Sequence, residues 1–180
     1  HELILGGQKS GKSRCAEARA AAWLQAAPAH EAVLIATALA GMLRPSSGRA
    51  TVAGFDVTFS APKSVSALWA IGSEEVAAAA LAAHQVAVKA GLAYLDAHAS
   101  LSRKGTDGVE QVTTGGLSAA LFDHRTSRCG DPQLHTHALV INKVRCADGR
   151  WRTLDATELY HHKKSAGMVY QAALRSELHA

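Results

Sequence analysis

The stretch that decides the fold is Phe122-Asp123-His124-Arg125-Thr126-Ser127-Arg128-Cys129-Gly130-Asp131-Pro132-Gln133-Leu134-His135-Thr136-His137. It joins two extended runs, Leu117 to Thr126 and Gln133 to Val144, across a turn at Asp131-Pro132. Runs of this kind on either side of a turn pair as an antiparallel hairpin. Successive strand residues project to opposite faces, so His135 and His137 share one face, with Cα atoms about 6 to 7 Å apart, while Thr136 turns the other way. Hairpin pairing brings His124 alongside them. Three neutral imidazoles that leave the remaining coordination positions to water or substrate form a catalytic rather than a structural metal arrangement. A His-x-His pair on a strand is often only two half-exposed polar residues; the third histidine across the predicted hairpin favours ligation.

Upstream of the hairpin, Phe55, Val57 and Phe59 alternate with Asp56, Thr58 and Ser60 until Pro62 ends the strand, which places Asp56 away from the aromatic face. A helix is predicted from about Ser64 to Ile71, and a longer one after Ser73, an N-cap followed by Glu74 and Glu75 in the dipole-favoured first turn. Leu81, Val88, Leu92 and Leu95 supply its buried stripe. Glu110 to Thr114 reads as a strand joined to Leu117–Thr126 at Gly115-Gly116. Downstream, Asp148-Gly149 turns the chain into a strand at Trp151 to Leu154, and Asp155 with Glu158 has the spacing of a capping box that opens a C-terminal helix.

Composition sets the bounds. A length of 180 residues fits one compact core, and 48% hydrophobic against 19% charged residues argues against a disordered chain. There is no uninterrupted apolar run of 18 residues and no secretory leader pattern, so no membrane partner is expected. The start at His1 rather than methionine suggests a fragment. A net charge of +4 permits nucleic-acid binding without requiring it. Cys15, Cys129 and Cys146 form no CxxC pair, which fits reduced thiols in a cytoplasmic protein.

A seam divides the pattern at residues 40–52, whose Gly41 to Arg49 portion has the proline, serine and glycine content of a linker. Before it, residues 1–39 read as a βαβ-like segment: strand Glu2–Leu5, a glycine-rich turn, helix Lys12–Ala27 and strand Ala32–Ala36. The turn, Gly6-Gly7-Gln8-Lys9-Ser10-Gly11-Lys12-Ser13, is a Walker A pattern between a strand and a helix, the context in which backbone amides and a helix dipole cradle phosphates.

The residues from about 45 onward resemble the TrwC/TraI class of conjugative relaxases. The resemblance is carried by Phe55-Asp56-Val57-Thr58-Phe59-Ser60-Ala61-Pro62-Lys63-Ser64-Val65-Ser66, by Phe122 to Arg128 leading into Asp131 to His137, and by Asp148 to Asp155. It implies an α+β fold, an antiparallel relaxase-type sheet of the HUH endonuclease kind flanked by helices, occupying residues 53–180. It further implies that His124, His135 and His137 hold a divalent metal, magnesium or manganese with zinc as an alternative. That metal would act on the scissile phosphate of single-stranded DNA at a transfer origin. Asp56 matches the family's aspartate beside a ligand histidine, which assists deprotonation of a nucleophilic tyrosine. Lys63, Arg125, Arg128, Arg150 and Arg152 would contact phosphates, and the protein would act as a monomer. The family carries its nucleophilic tyrosines after the first strand, whereas this chain has none before Tyr94. The expectation is a metal site that persists without nicking.

Residues 1–39 resemble the start of the bifunctional adenosylcobinamide kinase and guanylyltransferase. In that reading Gly6, Gly11, Lys12 and Ser13 would bind ATP or GTP with magnesium, and the function would be that of a nucleotide kinase. The likeness stops near Thr37, and no evident acidic partner strand follows. A severed βαβ fragment is therefore the favoured reading of these residues. Packing against the relaxase core is expected to order it, with Leu3–Leu5 or Val33–Thr37 pairing with the sheet that contains Phe55 to Phe59.

Overall fold

The computed structural model describes residues 52–179. The P-loop-like segment, its pairing with the sheet and most of the seam lie outside the described residues.

The aromatic and β-branched alternation after Ala53 forms strand β1 (Gly54–Ser60). Pro62 closes the strand and opens helix α1 (Lys63–Ile71). Ser73 then caps helix α2 (Glu74–Ala99), its hydroxyl accepting the Val76 amide at 3.4 Å. Strands β2 (Leu101–Lys104) and β3 (Glu110–Thr113) form a two-stranded ribbon. Strands β4 (Ala119–Thr126) and β5 (Pro132–Ile141) follow, then a small hairpin of β6 (Val144–Arg145) and β7 (Trp151–Arg152), and the chain ends in helix α3 (Ala156–His179).

The main sheet is antiparallel with the order β1-β5-β4, so β5 is its centre. In β1, Phe59 is buried and Phe55 and Val57 are half-buried, packing with Leu134, Ala138 and Val140 of β5 on the side covered by α2 and α3. Asp56, Thr58, His135 and His137 project from the other side. Burying a Leu or Phe side chain of this kind contributes about 1.5 to 3 kcal/mol each, and Leu95, Leu134, Leu174 and Tyr170 are all but inaccessible.

Helix α2 is long and apolar enough by composition to cross a membrane. Here its small-residue stripe, Ala80, Ala83, Ala87 and Gly91, belongs to the core and admits α3 at close range. At Gly91 the two helices and β1 converge: a Cβ there would lie 2.5 Å from Phe59 Cε1 and 3.3 Å from the Ala166 carbonyl oxygen.

Three sequence expectations change. Strand Glu110–Thr113 pairs with β2, which the sequence reading did not anticipate, and not with β4. Gly115-Gly116 is thus no hairpin turn: the Gly115 amide bonds to the Arg145 carbonyl at 2.7 Å and the Leu117 amide to Asp96 Oδ1 at 2.5 Å, which draws the chain out of the ribbon. The long run Gln133–Val144 breaks at Asn142, whose amide donates to the Ala53 carbonyl at 3.0 Å, so that Val144 pairs with β7 instead.

The crowding at Gly91 generates a test. Gly91→Ala gains about 1 kcal/mol of helix propensity but overpacks a closed contact, which costs about 1 to 3 kcal/mol. Gly167 on α3 has no described atom within 4 Å of such a Cβ, so Gly167→Ala keeps the propensity gain. Thermal unfolding should show Gly91→Ala below wild type and Gly167→Ala at or above it. A Gly91→Ala protein more stable than wild type would disprove the close approach.

Candidate metal centre

Register places the histidines. His124 lies directly opposite His135 across β4 and β5, Phe122 opposite His137, and on the other side Thr58 opposite His137 and Ser60 opposite His135. Directly opposed residues share a face, so all three imidazoles emerge together on the side away from the helices. Their ring centroids are 5.0, 5.0 and 5.2 Å apart, and one ring nitrogen from each lies within 4.8 Å of the other two. All three are half-buried.

Hydrogen bonding settles which nitrogen faces the common point. His135 Nδ1 is 2.9 Å from the Gln133 carbonyl oxygen, and His137 Nδ1 is 2.9 and 2.8 Å from the two oxygens of Asp56. Carbonyl and carboxylate oxygens only accept, so both Nδ1 atoms carry a proton, and in the neutral form of either ring it is Nε2 that keeps the lone pair. Outer partners of this kind fix tautomer and ring orientation in metal-binding histidines and raise their basicity. The Thr58 hydroxyl, 3.2 Å from His137 Nδ1, completes the support. Burial pushes the pKa of His124 down, and the neighbouring His137 and His135 push it further, so its imidazole is neutral at pH 7. Three imidazole donors, two of them backed by a carbonyl and a carboxylate, suit a divalent cation of the zinc, copper or manganese series and leave coordination positions to spare.

The loop between β4 and β5 has its own anchor, which sequence reasoning missed. Asp131 is ion-paired with Lys63 at the start of α1 and accepts from the Ser127 hydroxyl. The Lys63 ammonium also donates to the Pro132 carbonyl at 3.0 Å and to Gln133 Oε1 at 3.2 Å. Lys63 therefore fastens the entry of β5. Arg125 lies 5.8 Å from the Trp69 ring centroid, Arg152 holds Asp148 through two bonds of 2.8 and 2.6 Å, and Arg128 and Arg150 are exposed. Arg150 and Arg152 belong to the separate β6–β7 hairpin, Arg150 just before β7 and Arg152 within it. The structure thus brings together Asp56 and the three histidines, with Lys63 at the neighbouring loop. Gly6, Gly11, Lys12 and Ser13 lie outside the described residues.

Sequence reasoning also passed over a buried polar cluster behind the triad. His84 of α2 is 1% exposed and bonds through its two nitrogens to Tyr170 and Thr136. The signal available was a histidine within the alanine-rich buried stripe of a long helix.

An antiparallel sheet with helices on one face and three convergent histidines on the other is the relaxase type of α+β fold. The family model described as TrwC relaxase matches residues 3–180, and the chain belongs to that family. The multifunctional conjugation protein TraI of Escherichia coli is 40% identical over 137 residues, covering 71% of this chain and 8% of that protein. The chain therefore spans only a small part of its curated relatives. Among solved structures, TrwC complexed with a 27-mer DNA comprising the recognition hairpin and the cleavage site matches with a TM-score of 0.61 and 43% identity, over 70% of this chain and 44% of that one. The metal-bound structure of conjugative relaxase TrwC in complex with oriT DNA matches with a TM-score of 0.66 and 34% identity, over 90% and 53%. The family match runs through Gly6 to Ser13, so the kinase-like reading of residues 1–39 finds no support in it.

The Lys63 anchor has a pH signature. The hydrogen bond from Lys63, followed by that from Ser127, lowers the pKa of Asp131. A depressed carboxylate favours the folded state above its ordinary pKa, and that contribution is lost as pH falls through the lowered value. Carboxyl-detected NMR should show Asp131 titrating below the usual aspartate range, and Lys63→Met should move it back up. A midpoint unchanged by Lys63→Met would mean that the ion pair does not form in solution.

Proposed function

We propose that the chain is the metal-holding part of a conjugative relaxase, a metal-dependent enzyme that cuts and transfers one strand of DNA at a transfer origin. The observation that carries this reading is the convergence of His124, His135 and His137 with their Nδ1 atoms on the two strand histidines already committed to acceptors. Residues 53–180 form the relaxase part, and residues 40–52 and 1–39 form the seam and the N-terminal segment. A divalent cation bound there would neutralise charge on the scissile phosphate as it grows in the transition state.

The chain's own residues supply three things. The histidines present lone pairs at one point on a rigid strand pair, which fixes where a phosphate oxygen would be held. Asp56 holds His137 in the tautomer that keeps Nε2 bare; with both oxygens within 2.9 Å of Nδ1, its role in this structure is to orient that ring. Receiving a proton from an attacking phenol is the further role that the family resemblance assigns it. Lys63, Arg125, Arg128, Arg150 and Arg152 are proposed phosphate contacts, Lys63 and Arg152 by exchanging Asp131 and Asp148 for phosphate, which would make DNA binding strongly salt-dependent. Imidazole donors favour zinc or copper in raw affinity, whereas magnesium or manganese is proposed for catalysis. The unpaired Cys129 and Cys146 fit a reducing cytoplasm, and a monomer is proposed.

Metal binding tests the reading directly. Calorimetric titration with Mn²⁺ or Zn²⁺ should give one site per chain, and His135→Ala should abolish it. Asp56→Asn should weaken it about 10- to 100-fold, the usual effect of removing a ligand's outer partner. Binding that survives His135→Ala would sink the triad.

Covalent chemistry gives a second test. The three tyrosines of the 180-residue chain are Tyr94, Tyr160 and Tyr170. Tyr170 is 1% exposed on the helix side of the sheet, and burial pushes its hydroxyl pKa well above the usual phenol range. The Tyr94 hydroxyl bonds to His162 at 3.1 Å, between α2 and α3. Tyr160 is exposed on α3, in the cleft of about 670 Å³ between that helix and β1. With Mn²⁺ and a single-stranded transfer-origin oligonucleotide, the chain should retain the DNA in a mobility assay and form no covalent adduct. A phosphotyrosine mapped to any of the three would refute this.

A further inference from the structure

On the far side of β5, between the two strand histidines, Thr136 is 1% exposed and points into the helix layer. Its hydroxyl donates to Asp123 Oδ1 at 2.6 Å, and Asp123 lies directly opposite it in β4, immediately before His124. His84 Nε2 is 2.9 Å from the same hydroxyl, and His84 Nδ1 is 2.8 Å from the Tyr170 hydroxyl. The Gln85 amide approaches the other oxygen of Asp123 at 3.5 Å. One chain of bonds thus runs from α3 through α2 and β5 to β4.

Its direction is fixed. A carboxylate only accepts, so the Thr136 proton goes to Asp123 and the Thr136 oxygen must accept from His84 Nε2. Burial keeps His84 neutral, so with Nε2 protonated its Nδ1 is bare and accepts from Tyr170. Every group has one role, and only one tautomer of His84 satisfies all of them. Asp123 lies at the exposed end of the chain of bonds. Tyr170, His84 and Thr136 are each 1% exposed, and buried polar groups are costly against an apolar filling unless they specify something. What they specify is pairing: a one-residue slip of β5 would carry His135 and His137 to the helix side. Thr136 meets Asp123 and His84 only in the register in which His124 meets His135.

We propose that Tyr170, His84, Thr136 and Asp123 are positioning residues for the metal centre, pinning β4 and β5 to the two long helices so that the three imidazoles are preorganised before a cation arrives. This rests on the metal reading above. Thr136 and Asp123 flank the ligands in sequence yet point away from them, so the chain acts through backbone placement and not through contact with the cation.

The test uses Co²⁺ alone as probe, titrated into the 180-residue chain and followed by its visible absorption, which reports ligand geometry. Thr136→Val keeps the branched shape and deletes the hydroxyl; it should weaken Co²⁺ binding about 10-fold, at the lower end of outer-partner effects, and alter the absorption envelope. Thr136→Ser, which restores the hydroxyl, should return both to the wild-type pattern. A loss of packing alone would not be rescued by the smaller serine. Unchanged affinity and spectrum in Thr136→Val would overturn the proposal. If circular dichroism shows Thr136→Val unfolded, Tyr170→Phe decides, since it removes one distal hydroxyl and keeps the ring: weakened Co²⁺ binding supports the relay, and wild-type binding overturns it. Failure of the wild-type chain to bind Co²⁺ would strike down the metal centre itself, a result separate from any difference between variants.

Discussion

Everything in this molecule hangs on the pairing of β5 between β1 and β4. A strand alternates its side chains, and β5 uses both alternations fully: Leu134, Thr136, Ala138 and Val140 enter the helix-covered core, while His135 and His137 face outward. Its two neighbours then complete the outward face, β4 by setting His124 opposite His135, and β1 by bringing Asp56 within bonding distance of His137. Core and site are therefore two readings of one strand. The packing on one side and the placement of the three imidazoles on the other share the same backbone.

The electrostatics follow the same division. His124, with no acceptor of its own among the described residues, is held neutral by burial and by the neighbouring His137 and His135 about 5 Å away. His135 and His137 have their protons fixed on the outer nitrogen by a carbonyl and a carboxylate. The carboxylate also brings one negative charge next to the site without placing it among the donors, which favours a cation there over an anion. On the loop, Lys63 and Asp131 neutralise each other and hold Pro132 at the head of the strand.

Much of this was legible in the sequence because it rests on local rules. Period-two alternation placed Asp56 opposite the aromatic face, the His-x-His spacing placed His135 and His137 together, and Asp131-Pro132 located the turn that delivers His124. Ser73 marked the start of α2 and Asp155 that of α3, where Asp155 Oδ1 accepts the Thr157 amide at 3.2 Å. What could not be read depends on distant partners. The short strand Leu101–Lys104 has no alternation of its own to announce it, and exists through its pairing with β3 and the bond of the Asp155 amide to the Leu101 carbonyl at 2.8 Å. Asn142 ends β5 because it reaches back to Ala53, 89 positions earlier by subtraction of their numbers. His84 looked like one more residue of an alanine-rich helix, since its partners lie on β5 and α3.

The parts of the site differ in how far apart they lie along the chain. The three imidazoles all belong to β4 and β5, adjacent strands joined by a short loop, and closing a short loop costs little chain entropy. Asp56, in contrast, lies 81 residues before His137 and reaches it only when β1 docks across the whole intervening helix and ribbon. Non-local strand pairing of that kind is slow to form. The donor set is consequently local in the chain, and its carboxylate support is long-range. Until β1 is paired with β5, His137 lacks the carboxylate that fixes its ring, so the grip of a local donor set on a cation depends on closure of the whole sheet.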